Sequence, residues 1–199
     1  LLTYYEVQPT IITGWNIDFF DVPYLYNRLC HILGEKQART MSPINDVIWL
    51  KHRNRYRISG VSCLDYMALY KNFTYSQESS YSLEAISQKE LGKGKMKYEG
   101  SLDELYNKDF ERFIEYNRQD TALLDKIDKK LKFIDLASEL AHANTVLLQT
   151  TMGAVAVTEQ AILNETHRRG MVVPDRVRRE PGSEPAAGAY VATPKKGMH

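Results

Sequence analysis

Two short segments of the sequence carry side chains that could bind a divalent metal ion. The first covers residues 16–21 and contains Asn16, Phe20 and Asp21, directly after a β-branched run over residues 10–15. Proteins of the α/β class place functional groups where a strand end leads into a helix, so Asp21 could direct a carboxylate into a cleft. The alternative is that Asp21 only caps the following helix, and taken alone the cap is the simpler interpretation.

The second segment contains Tyr116 and Asp120, which are four residues apart in a stretch that reads as helix. This spacing places the two side chains on one helix face, where a phenol and a carboxylate can converge on one point. The carboxylate could bind a metal ion while the phenol positions a water molecule. The alternative is an ordinary solvated helix face, which Tyr-x-x-x-Asp by itself does not exclude.

The two segments are more informative together than apart. Hydrolysis of a phosphodiester commonly uses two hard cations roughly 4 Å apart, which neutralise the phosphate and generate the attacking hydroxide. Mg²⁺ prefers carboxylate oxygens and retained water molecules. Carboxylates from distant parts of the chain must therefore meet at one cleft, as Asp21 and Asp120 could.

The elements that would position these groups alternate between strands and helices. The pattern predicts a buried strand at residues 10–15, a helix from Asp21 to Gly34, a basic hairpin over residues 47–62 and a further strand at 61–66. A short helix ending near Gly92, a flexible loop at 92–95, two or three helices over residues 102–148 and a last helix at 155–169 follow. Such mixing predicts an α/β fold.

Composition restricts the classes of function. A chain of 199 residues with 43% hydrophobic residues can bury the core of one globular domain. The net charge of +1 creates no general attraction for nucleic acid, so a DNA site must be a local cleft. The two cysteines, Cys30 and Cys63, form no disulfide framework and indicate a reducing compartment. No apolar run approaches the roughly 18 residues of a membrane span.

These segments together resemble family B DNA polymerases, and most closely the replicative polymerases of T-even-type tailed phages. Residues 12–16 and 20–28 resemble the Exo II motif of that family. Residues 64–71 resemble the strand that follows the exonuclease hairpin, and residues 116–120 resemble the Exo III motif. Residues 185–191 resemble the approach to the palm domain. The resemblance is collinear over nearly the whole chain.

The resemblance implies an RNase H-like fold of the DEDDy type that lacks its first strands. Residues 1–150 would form part of the 3′–5′ exonuclease domain. Residues 151–199 would form a helix and linker that begin the polymerase palm.

The resemblance also assigns roles to the candidate residues. Asp21 and Asp120 would bind Mg²⁺ or Mn²⁺ in a two-metal site that this chain supplies only in part. Tyr116 would position the water, and Asn16 and Phe20 would shape the pocket for the terminal nucleotide.

As a whole, the protein would be a DNA-directed DNA polymerase that removes 3′-terminal nucleotides as a proofreading step. Its partners would be the single-stranded primer 3′ end and the remaining segments of the same protein. A sliding clamp could bind through a C-terminal segment outside this chain. No membrane is involved, and the expected location is the cytoplasm of an infected bacterial cell. The hairpin would hold the frayed primer apart from its template, although an ordinary solvated hairpin fits its sequence equally well.

One departure from the family pattern limits what this chain could do alone. The Exo I motif, Asp-x-Glu, would supply the other two metal ligands. We expect this motif upstream of Leu1 and expect no Asp-x-Glu within this chain. The palm motifs are also missing, so the isolated chain is expected to be inactive, either as a fragment or as half of a split polymerase. The rival hypotheses are a non-catalytic RNase H-like module that binds DNA or a partner, and a stand-alone nuclease.

Overall fold

Strands and helices follow one another in the predicted order in the computed structural model, which describes residues 1–175 and residue 188. The strands of this part are β1 (Ile11–Gly14), β2 (Val47–Leu50), β3 (Arg55–Ile58) and β4 (Ser62–Asp65). Its helices are α1 (Leu2–Val7), α2 (Asp21–Leu33), α3 (Glu35–Ala38), α4 (Tyr66–Phe73), α5 (Leu83–Leu91), α6 (Leu102–Lys108), α7 (Phe110–Leu131), α8 (Phe133–Asn144) and α9 (Ala154–Arg168). The predicted α/β class is confirmed, but α1, α3 and α4 were not predicted. The expectation that residues 64–71 resemble a strand is wrong beyond Asp65, because the Asp65 carboxylate caps a helix, α4, that begins at Tyr66.

The strand that precedes the first candidate segment lies in a small parallel sheet. Within the described residues β1 pairs with β4 alone, in a register that runs from Ile11 opposite Ser62 to Gly14 opposite Asp65. The Thr13 hydroxyl donates to the Leu64 carbonyl at 2.8 Å and adds a side-chain link between the strands. Ile11 is 38% exposed, so the prediction of a buried strand is wrong. A strand with one paired edge has less cover than a central strand.

The predicted hairpin is confirmed as β2 and β3. These strands are antiparallel, with Val47 opposite Ile58 and Leu50 opposite Arg55. Asn54 has a φ of +51° in the connecting turn, a conformation that asparagine tolerates better than most residues. On one side of the hairpin, Trp49 and Tyr56 meet edge to face, with ring centroids 4.8 Å apart.

Two hydrophobic cores lie on opposite faces of β4. Successive side chains of a strand point to opposite faces, so Cys63 and Leu64 belong to different cores. Leu64 packs with helices α4, α5, α7 and α8, whereas Cys63 packs with α2 and the hairpin. The carboxyl ends of β1 and β4, at Gly14 and Asp65, therefore lie between two packed layers. This packing fixes the segment that follows β1.

The aromatic residues near α4 are mainly part of the core. Tyr66 and Tyr70 are fully buried, and Phe73 and Tyr81 pack against the same cluster. Tyr75 is fully exposed. The cluster is therefore not available as a surface on which bases could stack.

Gly14 is required by close packing. A Cβ at this position would lie 2.2 Å from Cγ2 of Ile17, whose side chain is only 4% exposed. We expect Gly14→Ala to lower the free energy of unfolding by about 1–3 kcal/mol, the usual range for overpacking in a core. Urea denaturation monitored by circular dichroism measures this change.

Ile17→Ala provides the matched control for Gly14→Ala. Because Ile17→Ala removes the methyl group that the new Cβ would meet, Gly14→Ala should cost less in that background. An equal cost in both backgrounds would contradict the steric explanation.

Residues 185–191, with their resemblance to a palm approach, lie outside the described residues apart from residue 188. Within the described part, no helix has the length and apolar character needed to cross a membrane.

Candidate functional site

Three of the five candidate residues, Asn16, Asp21 and Asp120, line a cleft of about 550 Å³ beside the end of β1, whereas Phe20 and Tyr116 are not among its lining residues. One wall comes from the segment between β1 and α2 and contains Asn16 and Asp21. The facing wall comes from α7 and contains Asn117 and Asp120. Lys95, from the loop between α5 and α6, completes the lining on the α7 side. The structure thus brings together two carboxylates that are about 100 residues apart in the sequence.

Asp21 is the first residue of α2 and does not cap it. The N-cap position is Phe20, and no side chain caps the helix there. Helical hydrogen bonding already begins with the bond from the Tyr24 N–H to the Phe20 carbonyl at 2.9 Å. The helix-cap interpretation of Asp21 is therefore wrong. Burial raises the pKa of the Asp21 carboxyl, and its own backbone N–H offsets part of this effect.

The two residues predicted to shape a nucleotide pocket are placed differently. Asn16 lies on the cleft wall with a φ of +66°, and its N–H donates to the Asp65 carboxylate at 3.1 Å. Phe20 is 65% exposed and is not part of the cleft wall. Its ring lies nearly parallel to that of Tyr24, with centroids 6.0 Å apart. Phe20 thus presents an exposed aromatic surface next to Asp21 in the sequence.

Tyr116 and Asp120 do share one face of α7, and this face is not solvated. Tyr116 is 8% exposed, and the Asp120 side chain is 23% exposed. The interpretation as an ordinary solvated helix face is therefore wrong. Both groups contact Lys95, whose Nζ is 2.5 Å from Oδ2 of Asp120 and 3.1 Å from the Tyr116 hydroxyl. The same ammonium lies 5.3 Å from the centre of the Tyr116 ring.

Lys95 is held as a cation at this position. Burial disfavours its ammonium form, but the hydrogen bonds to Asp120 and Tyr116 outweigh burial, and the pKa of Lys95 is raised. The second carboxylate oxygen of Asp120, Oδ1, is buried and has no hydrogen-bond partner. A buried oxygen of this kind is costly unless a ligand satisfies it. Asp120 therefore keeps an unused acceptor.

Sequence reasoning missed Lys95, because its segment was interpreted as a flexible loop. The structure shows this loop anchored by Glu84, whose carboxylate accepts the Lys95 backbone N–H at 2.5 Å. Gly94 permits this contact, since a Cβ there would lie 2.3 Å from Oε1 of Glu84. The sequence offered no signal for this role of Lys95 beyond the presence of a lysine directly after Gly94.

Asp65 was also missed as part of the site. Asp65 is 2% exposed, and its carboxylate caps α4 by accepting hydrogen bonds from the N–H groups of Met67 and Ala68. The same carboxylate accepts the N–H groups of Asn16 and Asp18 at 3.1 and 3.5 Å. Burial raises the pKa of Asp65 against the opposing effect of these backbone donors. Asp65 thus joins the start of α4 to the segment that carries Asn16.

The expectation that the chain contains no Asp-x-Glu is wrong. Asp109, Phe110 and Glu111 form such a triplet. The structure places it at the start of α7, where the Asp109 side chain caps the helix by accepting the Arg112 N–H at 3.0 Å. The triplet is not on a strand, and neither carboxylate lines the cleft. It does not supply the Exo I motif.

Cys63 is buried on β4 and is expected to resist alkylation. Burial, together with the nearby Asp18 carboxylate, raises the pKa of its thiol to about 11. The thiolate is the reactive form, so the rate of alkylation should rise about tenfold per pH unit between pH 8 and 10. Mass spectrometry of a Cys30→Ser variant treated with iodoacetamide measures this rate on the single remaining thiol. Rapid labelling at pH 8 would show that the Cys63 thiol is accessible.

The chain is similar in sequence to DNA polymerases of family B. Residues 2–86 match the family described as DNA polymerase family B, exonuclease domain. The DNA-directed DNA polymerase of Escherichia phage RB69 is 34% identical over 95% of this chain, and that of Enterobacteria phage T4 is 37% identical over 96%. DNA polymerase II of Escherichia coli is 27% identical over 96% of this chain.

The match covers only part of each relative. The chain spans 21% of the RB69 polymerase, 22% of the T4 polymerase and 25% of the Escherichia coli polymerase. The family match shows that residues 2–86 belong to a family B DNA polymerase exonuclease domain, and the similarity to the phage polymerases extends along 95–96% of the chain.

Proposed function

We propose that this chain contributes half of the metal site of a 3′–5′ proofreading exonuclease within a longer DNA-directed DNA polymerase. The observation that carries the proposal is the cleft that brings Asp21 and Asp120 together from α2 and α7. In this proposal the fold is RNase H-like and of the DEDDy type. Residues 1–150 form the exonuclease part, and residues 151–199 lead into the palm.

The side chains of the cleft supply some of the ligands that a divalent cation needs. Carboxylate oxygens are the ligands that Mg²⁺ and Mn²⁺ prefer, and the buried Oδ1 of Asp120 lacks any other partner. The residues that the structure describes contain no group of three or more His, Cys, Asp or Glu side chains able to hold a metal ion. Asp21 and Asp120 would therefore hold metal together with carboxylates from another segment of the polymerase. When bound, the metal would lower the pKa of a water molecule and neutralise phosphate charge.

The other side chains in and around the cleft have separate tasks in this proposal. The Tyr116 hydroxyl, fixed by its hydrogen bond from Lys95, orients the attacking water. The Lys95 ammonium offsets the charge of Asp120 and of the phosphate that enters. Asn16 forms part of the wall that receives the terminal nucleotide. Phe20, on the exposed side, offers a ring on which a base can stack.

The ligand that fits this arrangement is the single-stranded 3′ end of a DNA primer. In the whole protein the partners would be the remaining polymerase segments and, through a C-terminal segment, a sliding clamp. The expected location is the cytoplasm of the infected cell. The hairpin β2–β3, with the cations Lys51 and Arg53 at its exposed turn, would lie near the point where primer and template separate.

A second candidate function is a non-catalytic module that binds DNA or a partner. It is favoured by one observation, which is that only two carboxylates, Asp21 and Asp120, line the cleft within the described residues. A pair of carboxylates binds metal more weakly than the four expected of a complete two-metal site. The two candidates therefore differ in whether the complete polypeptide hydrolyses DNA.

Degradation of a 5′-labelled single-stranded oligonucleotide tests the proposal. The full-length polymerase should shorten it stepwise from the 3′ end in Mg²⁺, and the 199-residue chain alone should not. Chelation with EDTA serves as the control for metal dependence. A full-length protein that polymerises but never shortens the labelled strand would favour the non-catalytic module.

A further inference from the structure

We propose that Arg55 and Asp18 form a positioning pair that fixes the segment between β1 and α2 to the hairpin, and so places Asn16 and Asp21 in the cleft. The inference rests on the proposed exonuclease function and assigns two further residues to it. Neither residue lines the main cleft, so both act through the backbone that carries the lining residues.

The contact between the two residues is close and largely protected from solvent. Nη1 of Arg55 donates to Oδ2 of Asp18 at 2.5 Å. The two side chains are 17% and 11% exposed. A charge-assisted hydrogen bond with this degree of burial is stronger and less screened than an exposed surface pair. Arg55 begins β3, so the contact reaches the segment from the hairpin side.

The segment is held from its other side by Asp65. The Asp65 carboxylate accepts the N–H of Asn16 at 3.1 Å and the N–H of Asp18 at 3.5 Å. Asn16 has a φ of +66°, a conformation that asparagine tolerates better than most residues, so the turn is compatible with both contacts. Asp18 is therefore held through its main chain by the sheet and through its side chain by the hairpin.

The restrained segment leads directly to the candidate metal ligand. Ile17, between Asn16 and Asp18, is buried, and its carbonyl accepts the N–H of Val22 at 3.0 Å. The start of α2, and with it Asp21, is thus tied to the residues that Arg55 and Asp65 restrain. Release of Asp18 should let Asn16 and Asp21 move relative to Asp120. A displacement of about 1 Å at a catalytic site can lower a rate about a hundredfold.

Kinetics of the full-length polymerase test the pair. Arg55→Met should lower kcat for 3′ hydrolysis ten- to hundredfold and raise the Mg²⁺ concentration that gives half-maximal rate. The KM for the oligonucleotide should change less than threefold. Arg55→Lys keeps the charge and should recover part of the loss. Arg57→Met is the matched control on the same strand, since the Arg57 side chain is 47% exposed and its contact with Asp46 is long, at 3.8 Å. It should behave like the wild type.

A charge-reversed pair separates positioning from a loss of folding. Asp18→Arg combined with Arg55→Asp should recover more activity than either single variant. Wild-type activity in Arg55→Met, or a loss of rate with an unchanged Mg²⁺ requirement and no recovery in Arg55→Lys, would overturn the inference.

Hydrogen exchange gives a readout that does not depend on catalysis. In Arg55→Met the backbone amides of Asn16 and Asp18 should exchange at least tenfold faster, while amides in α7 keep their wild-type rates. If the wild-type protein proves inactive, the proposed exonuclease function fails, and faster exchange at Asn16 and Asp18 would still support the positioning pair. Unchanged exchange at these amides would overturn it.

Discussion

Asp120→Asn is expected to lower the rate of 3′–5′ hydrolysis by the full-length polymerase on the order of a thousandfold. The substitution keeps the shape of the side chain but removes the charge next to the unpaired buried oxygen. Metal ions contribute several kcal/mol of transition-state stabilisation, and each ~1.4 kcal/mol corresponds to a factor of ten in rate. Asp21→Asn should have an effect of similar size, because the two carboxylates face each other across one cleft.

Two measurements make this prediction specific. Nucleotide incorporation by Asp120→Asn should stay within about twofold of the wild type, since the proposed function assigns polymerisation to residues outside this cleft. Asp125→Asn is the matched control, because Asp125 is an exposed residue of the same helix that pairs with Lys129. Such surface pairs contribute little. Retention of more than a tenth of the wild-type exonuclease activity in Asp120→Asn would contradict a role in metal binding.

Element boundaries were predicted well where local chemistry decides them. Helix α2 ends at Gly34, which has a φ of +86°, and α5 ends at Gly92, which has a φ of +65°. Glycine is favoured at such positions because it lacks a Cβ. The hairpin turn at Asn54 follows the same logic. These features depend on a few neighbouring residues, so the sequence alone is sufficient to place them.

Predictions that depended on distant packing were less successful. The burial of β1 could not be predicted, because it depends on which strands lie beside Ile11 and Ile12. The role of Asp21 was ambiguous for a related reason. A capping aspartate and one in the first helical turn differ by one residue in register, and the buried Ile17, whose carbonyl accepts the N–H of Val22, helps set where α2 begins.

The site shows the same division between local and distant information. Asp21, Tyr116 and Asp120 were proposed from a strand end, a four-residue helical spacing and the resemblance to family B polymerases, and the structure places Asp21 and Asp120 on one cleft. Lys95 and Asp65 were not found, since each acts through contacts with segments 15 or more residues away. The resemblance to the polymerase family gave the order of the motifs along the chain, but it did not reveal these contacts.

The ammonium of Lys95 leads to the second large prediction. Lys95→Gln is expected to lower the rate of 3′ hydrolysis by the full-length polymerase about a hundredfold. The variant removes the cation that contacts both Asp120 and the Tyr116 hydroxyl, and loss of one electrostatic group in an active site commonly costs 10²–10³ in rate, about the size expected here. Lys97→Gln, an exposed lysine of the same loop, is the matched control and should retain the wild-type rate.

The pH dependence of stability offers an independent check on Lys95. Its pKa is raised in the folded protein, so the ion pair contributes stability that is fully present below the unfolded value of about 10.4. The difference in free energy of unfolding between wild type and Lys95→Gln should therefore be constant from pH 7 to 9. This difference in free energy of unfolding should become smaller only as the pH rises through the folded-state pKa of Lys95.

The Mg²⁺ requirement of Lys95→Gln distinguishes two roles for this lysine. If Lys95 stabilises the reacting phosphate, the variant stays slow at every Mg²⁺ concentration. If Lys95 merely occupies the position of a metal ion beside Asp120, its removal should lower the Mg²⁺ concentration needed for half-maximal rate and leave the maximal rate intact. The contact with Tyr116 favours the first role, because a simple counter-ion for Asp120 has no need to hold the hydroxyl that orients water. A wild-type maximal rate in Lys95→Gln would therefore remove Lys95 from the reaction and leave Asp21 and Asp120 as the charged groups of the cleft that act in it.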